Sequence, residues 1–314
     1  MSKQITSAVM MIRPVAFRFN EETAVNNYYQ KVLEGVSASQ VQNRALEEFD
    51  TFVALLRSKA IDVVVIEDTI EPSTPDSIFP NNWISFHQDA RVGLYPMCAE
   101  NRRLERREDV LTQLQEDHKF LVADVVDFSH YEDEQLFLEG TGSMLLDRVN
   151  RIAYAALSLR TDVQVLQDFC KHFNYKAVTF TSYQTVGNER LPIYHTNVMM
   201  CLADEFVVLC ADTIDDESER MALITSLEET GKEIVYISEV QKHRFAGNML
   251  QLVGKTGEKY LVMSSSAHQA LNRNQIDQIE KYCQLLSSSL DTIEACGGGS
   301  ARCMMAEIFL PKTA

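Results

Sequence analysis

The sequence predicts an α/β fold, a five-bladed, pseudo-symmetric α/β propeller whose repeats are a hairpin plus a helix around a central site. Two observations predict it. Pairs of short strands recur with starts about 50 to 60 residues apart, with helical segments between them. The last apolar segment, Cys303 to Phe309, suits pairing with the first, Ala8 to Ile12, which would close the array into a ring.

Apolar residues returning at three and four positions predict helices at Asn26 to Leu33, Ala45 to Lys59, Leu104 to Asp117, Thr161 to Phe173, Glu217 to Glu229 and Asn274 to Ser287. The strand pairs are Asn82 to His87 with Val92 to Tyr95, Gly142 to Asp147 with Arg151 to Leu157, Asn197 to Leu202 with Glu205 to Cys210, and Asn248 to Leu252 with Lys259 to Met263. A mixed α/β sandwich is the alternative, in which the likeness of the pairs reflects only how hairpins are generally written. No Pro/Gly/Ser-rich linker divides the chain, so residues 1–314 read as a single domain.

Composition narrows the function. With 45 acidic against 29 basic residues the net charge is -16, a sign that repels nucleic acid and anionic lipid, so neither is expected as a partner. No apolar run approaches the roughly 20 residues of a membrane span, and Met1 to Arg13 lacks the pattern of a secretory signal. Seven cysteines without a CxxC pair fit reduced thiols in a cytoplasmic protein. A homo-oligomer is left open.

In a radial array, residues just before or at the start of each first strand face a common axis. Those positions hold Asn81, Asn82, Glu139, His195, Asn248 and Cys303. A thiol, an imidazole, a carboxylate and amides at one point form a catalytic inventory. Cys303 follows three glycines and Arg302, and peptide N–H groups with that guanidinium would lower its thiol pKa. Cys296 is its only serious rival; the other five cysteines lie in apolar or helical contexts. His195 enters an apolar strand at the position equivalent to Glu139, which stands beside Gly140 and Gly142. Arg160 could clamp a substrate carboxylate in bidentate fashion, with a surface ion pair as the ordinary alternative. Gly140-Thr141-Gly142 lacks the context of a dinucleotide loop, no Walker sequence is present, and the histidines show no metal-ligand spacing. No cofactor and no metal are expected.

At these residues the chain resembles the guanidino-group modifying superfamily of arginine deiminases, dimethylarginine hydrolases and amidinotransferases, the pentein fold. Leu138-Glu-Gly-Thr-Gly142 is similar to its Glu-Gly-Gly motif, Tyr194-His-Thr-Asn197 to its His-x-Asp motif, Gly297 to Cys303 to its nucleophile motif, and Ser158-Leu-Arg-Thr161 to a carboxylate-binding segment. Met11-Ile-Arg-Pro14, Asn26-Asn27 and Phe79-Pro-Asn-Asn-Trp83 are most similar to the citrulline utilization hydrolase subgroup. The resemblance implies Cys303 as nucleophile, His195 as general acid and then base, and Glu139 holding the substrate nitrogens and the histidine. Deiminases usually carry an Asp where this chain has Asn82 and another where it has Asn197. An amide suits a neutral ureido group better than a guanidinium, which favours citrulline as the small-molecule partner, although Asp76 could supply a carboxylate nearby. Arginine deiminase, dimethylarginine hydrolase or amidinotransferase activity is the alternative, and a propeller that binds without catalysis the non-enzyme one.

Overall fold

The computed structural model describes residues 3–313. It contains five three-stranded sheets of one plan: an inner strand runs antiparallel to a middle strand, which runs parallel to an outer one. Parallel strands need a crossover, and here helices supply it. The first sheet joins Ala306–Glu307, Ala8–Arg13 and Asp62–Glu67, crossed by the helix Ala38–Ser58. The second joins Ile84–Phe86, Arg91–Leu94 and Asp124–Asp127. The third joins Met144–Asp147, Ile152–Leu157 and Lys176–Thr181; the fourth Met200–Leu202, Phe206–Leu209 and Glu233–Tyr236; the fifth Leu250–Val253, Lys259–Ser264 and Gln284–Ser288. A separate hairpin joins Tyr183–Val186 and Glu189–Pro192.

The predicted ring closure is observed. Val9 pairs with Glu307 and Met10 with Ala306, so the chain's last strand completes the sheet begun by its first. Ala8–Arg13 is buried along nearly its whole length and reads accordingly as a continuous apolar run rather than an alternating one. The helix Ala38–Ser58 starts at a capping box between Ser37 and Gln40 and lays Val41, Ala45, Phe49, Phe52, Val53 and Leu56 into the core. Each such large side chain contributes roughly 1.5–3 kcal/mol relative to exposure. Among the described residues no helix is long and apolar enough to cross a membrane.

Three sequence expectations change. The predicted helix Asn26 to Leu33 is absent; a short helix, Glu21–Ala24, capped by Asn20, precedes a turn-rich segment instead. The Asn27 side chain accepts from the Tyr29 N–H, a local bond that competes with helix formation. Of the predicted helix Leu104 to Asp117 only Glu108–Glu116 forms, and a separate short helix, Glu100–Arg103, precedes it. Asn274 to Ser287 holds the helix Arg273–Glu280 and then the strand Gln284–Ser288, whose residues pair in parallel with Tyr260 to Ser264. As expected, site residues lie just before the first strands: Asn81 and Asn82 in the helical turn Pro80–Asn82, and Glu139 and His195 immediately ahead of the turns Gly140–Ser143 and Thr196–Val198.

Candidate active site

The turn Gly140–Ser143 begins where Glu139 leaves the strand path. Gly140 has φ 47°, and a Cβ there would lie 2.5 Å from the Asn81 carbonyl, so only glycine fits on both counts. This close approach buries Glu139 completely. Its Oε2 lies 2.7 Å from His195 Nε2 and 3.4 Å from Arg160 Nη1, and its Oε1 accepts from the Cys98 backbone N–H at 3.0 Å. Burial pushes the carboxyl up, but Arg160, the His195 hydrogen bond and Arg102 outweigh it and hold the group well below the usual carboxylate range. Glu139 is therefore ionised.

Burial lowers the His195 imidazole to about 4; Glu139 opposes the shift, while Arg160 and Arg102 add to it. The ring is thus neutral at neutral pH. With Nε2 donating to Glu139, Nδ1 holds the free lone pair, a tautomer assigned from the hydrogen-bond network. Acidification has a definite sign. Between about 6.5 and about 4 the unfolded chain binds more protons than the folded one, so stability falls as pH falls through that window. Melting temperature should drop over this range, less steeply in His195→Gln, and the acid limb of kcat/KM due to His195 should lie near 4 rather than 6.5.

Cys303 stands on a turn closed by its own N–H on the Ser300 carbonyl at 2.9 Å. Its sulfur receives Asn248 Nδ2 at 3.2 Å and Asn197 Nδ2 at 3.5 Å, two donors suited to a thiolate. Arg302, expected beside the thiol, instead binds Glu307 at 2.8 Å and the Met305 carbonyl at 2.9 Å. Asn248 also donates to the Asn197 carbonyl and accepts from the Arg302 N–H, so its amide faces protein rather than the pocket lining. The rival Cys296 is buried in the core cluster with Phe49 and Ile293, and burial raises its thiol pKa.

Cys303 and His195 line one small pocket with Thr23, Asn27, Asp76, Phe79, Asn82, Arg102, Arg160, Tyr194 and the strip Gly297 to Gly299. Asp76 accepts from Asn20 at 2.8 Å and Thr23 at 3.0 Å through Oδ2, and burial raises its pKa against the pull of Arg102. Arg160 donates to the Thr23 carbonyl and to Asn26, and stacks over Tyr194 at 4.9 Å. Asn81 sits beside the lining, donating to Thr141 at 3.4 Å. Among the described residues, several buried polar atoms lack a partner; three belong to residues lining this pocket, Asp76 Oδ1, Asn82 Nδ2 and Arg160 Nε, and two to residues beside it, Asn81 Oδ1 and Asn197 Oδ1. Buried polar atoms are normally satisfied, so such a concentration marks where a polar ligand belongs. Wider clefts at Lys3, Phe120 and Lys312, and at His268, Tyr282 and Cys283, lack a bonded carboxylate–imidazole pair.

A sequence model for the family described as N,N dimethylarginine dimethylhydrolase, eukaryotic, matches residues 13–310. The chain belongs to that family, within the guanidino-modifying pentein superfamily. No curated protein sequence matches the chain. Its fold is similar to ArgZ, an arginine dihydrolase from the ornithine-ammonia cycle in cyanobacteria, with a TM-score of 0.73 and 16% identity over 98% of this chain and 41% of that one. This chain thus spans about two fifths of that longer protein. It is also similar to an N-terminal ArgZ domain bound covalently to a reaction intermediate, with a TM-score of 0.70 and 18% identity, covering 97% and 99% of the two chains. A dimethylarginine dimethylaminohydrolase adduct with S-methyl-L-thiocitrulline gives a TM-score of 0.63 at 12% identity over 97% and 100%. Together they show the pentein-type propeller.

Gly142 ties the family's glycine-rich segment to the geometry. A Cβ here would stand 2.4 Å from Asn82 Nδ2 and 2.9 Å from His195 Nδ1. Gly142→Ala should push both nitrogens aside and lower kcat/KM by about 100-fold while the protein stays folded, as steady-state kinetics beside a melting curve will show. Sequence reasoning missed Arg102, Tyr194, Thr23 and the Cys98 backbone N–H. Tyr194 donates to the Gly298 carbonyl at 2.9 Å and so braces the glycine strip that precedes Cys303. Its place directly before His195 was the available signal.

Proposed function

We propose that the protein hydrolyses the C–N bonds of a guanidino or ureido group on an arginine-like amino acid, with citrulline as the favoured substrate. One observation carries the reading: a thiol held by two amide donors and a neutral imidazole held by an ionised carboxylate open on the same buried pocket. All these groups come from one chain, and we treat residues 1–314 as one catalytic domain. The seven free cysteines suit a reducing, cytoplasmic setting.

In this mechanism the Cys303 sulfur bonds to the ureido carbon while its proton passes to His195. The imidazolium, stabilised by Glu139, then protonates the leaving nitrogen, and the C–N bond breaks to release ornithine and leave an S-carbamoyl group. His195 next takes a proton from water, whose oxygen attacks the same carbon, and the thiol leaves. Carbamic acid departs and decomposes to ammonia and carbon dioxide.

The neutral group is favoured because the unpartnered atoms are mixed. Asn82 Nδ2 and Arg160 Nε offer donors and Asp76 Oδ1 an acceptor in the pocket, with the Asn81 and Asn197 oxygens beside it, whereas a guanidinium can only donate. A guanidinium substrate such as arginine or a methylated arginine is the second reading, favoured by the buried, half-satisfied Asp76 carboxyl and by the ionised Glu139. Incubation with citrulline, arginine, methylated arginines and agmatine, with detection of ammonia and amino-acid product, separates them. Ornithine from citrulline is expected; turnover of arginine with citrulline untouched supports the second reading instead. Adding glycine or lysine as acceptor tests amidino transfer in the same assay.

A further inference from the structure

The buried Arg102 has no place in the mechanism above, yet its bonds determine what Asn82 presents. Arg102 is 2% exposed and meets Glu105 through two bonds, at 2.8 and 2.9 Å. It donates to the Phe79 carbonyl at 3.1 Å and to Asn82 Oδ1 at 2.8 Å. A guanidinium has five N–H groups and no acceptor, so the atom of Asn82 facing it must be the oxygen. The amide nitrogen therefore points the other way, where it has no partner and abuts Gly142 beside His195 Nδ1. Burial of the whole group, with Glu105 fixing the arginine from behind, leaves the amide no second orientation that satisfies its oxygen.

We infer that Arg102 is a specificity-determining, positioning residue: it locks Asn82 with its N–H₂ toward the reacting carbon, so that the pocket selects a substrate carrying an acceptor there. This rests on the function proposed above and deepens it. A ureido oxygen accepts from that nitrogen, and so does the oxygen that gains negative charge when sulfur adds. A guanidinium presents N–H against N–H at the same point, leaving donors unpaired on both sides. The discrimination thus lies in the direction of one amide, and Arg102 acts only through it.

The test uses the ratio of citrulline to arginine kcat/KM, which general structural damage does not move because both substrates suffer alike. Exchanging the ion pair together, Arg102→Met with Glu105→Met, avoids a stranded buried charge. The ratio should fall about tenfold or more in this variant, because Asn82 is free to turn. In an Asn82→Ala background the same exchange should leave the ratio unchanged. Asn82→Asp alone should shift the ratio toward arginine. Binding of both compounds to Cys303→Ser, measured by calorimetry, gives the ground-state part of this discrimination without turnover. A ratio that survives the double exchange, or that falls equally in the Asn82→Ala background, overturns the role of Arg102 while the hydrolase reading stands. A parent protein that prefers arginine overturns the direction of selection, and one that binds neither compound overturns both readings.

Discussion

Cys303→Ser should lower kcat on the preferred substrate by about 10⁴-fold or more while the substrate still binds. The sulfur is the only group of the pocket proposed to form a bond to carbon, and a serine hydroxyl lacks the acidity that lets a neutral imidazole activate a thiol. The two asparagines that donate to sulfur can still donate to oxygen, so the pocket should keep its shape. Calorimetry and turnover, measured on one preparation, check both halves of the statement. Near-normal turnover would remove Cys303 from the chemistry.

Glu139→Gln carries the second large effect, on both stability and rate. Glu139 is the carboxylate shared by Arg160 and His195 and is wholly buried. Removing its charge leaves a buried guanidinium unpaired, which costs about 3–5 kcal/mol of stability. It also removes the anion that stabilises the imidazolium when the thiol proton arrives, so kcat should drop by about 10³-fold. Denaturant midpoints and kcat measure the two effects separately. Because Glu139 is ionised far below neutrality, neither should depend on pH between 6 and 8, a window set by the direction of its pKa shift.

Ring closure and convergence were legible because they rest on patterns that recur along the chain. The segment after Cys303 has the apolar character of the other inner strands, and its partner Ala8–Arg13 is apolar throughout, so only the pairing had to be inferred. The outer strands were not legible. In Gln284–Ser288 the leucines continue the helical spacing of Ile279 and Cys283, and only tertiary pairing with Tyr260 to Ser264 decides for a strand. Arg102 was hidden for another reason. It lies close to Arg103, Arg106 and Arg107, which are only partly buried and pair with Glu132 and Asp109. Nothing in local spacing says which of the four the fold will bury against Asn82. Arg302 erred the other way: it neighbours Cys303 in sequence, yet the strand end directs it to Glu307.

The proposed reaction requires a bond between Cys303 and the carbon of a ureido or guanidino group. Rapid acid quench during turnover of citrulline, followed by intact mass and peptide mapping, looks for that bond directly. It should reveal a mass increase of one carbamoyl group confined to the peptide containing Cys303, absent from Cys303→Ser and lost as substrate runs out. Steady turnover with Cys303 unmodified at every quench time would contradict it.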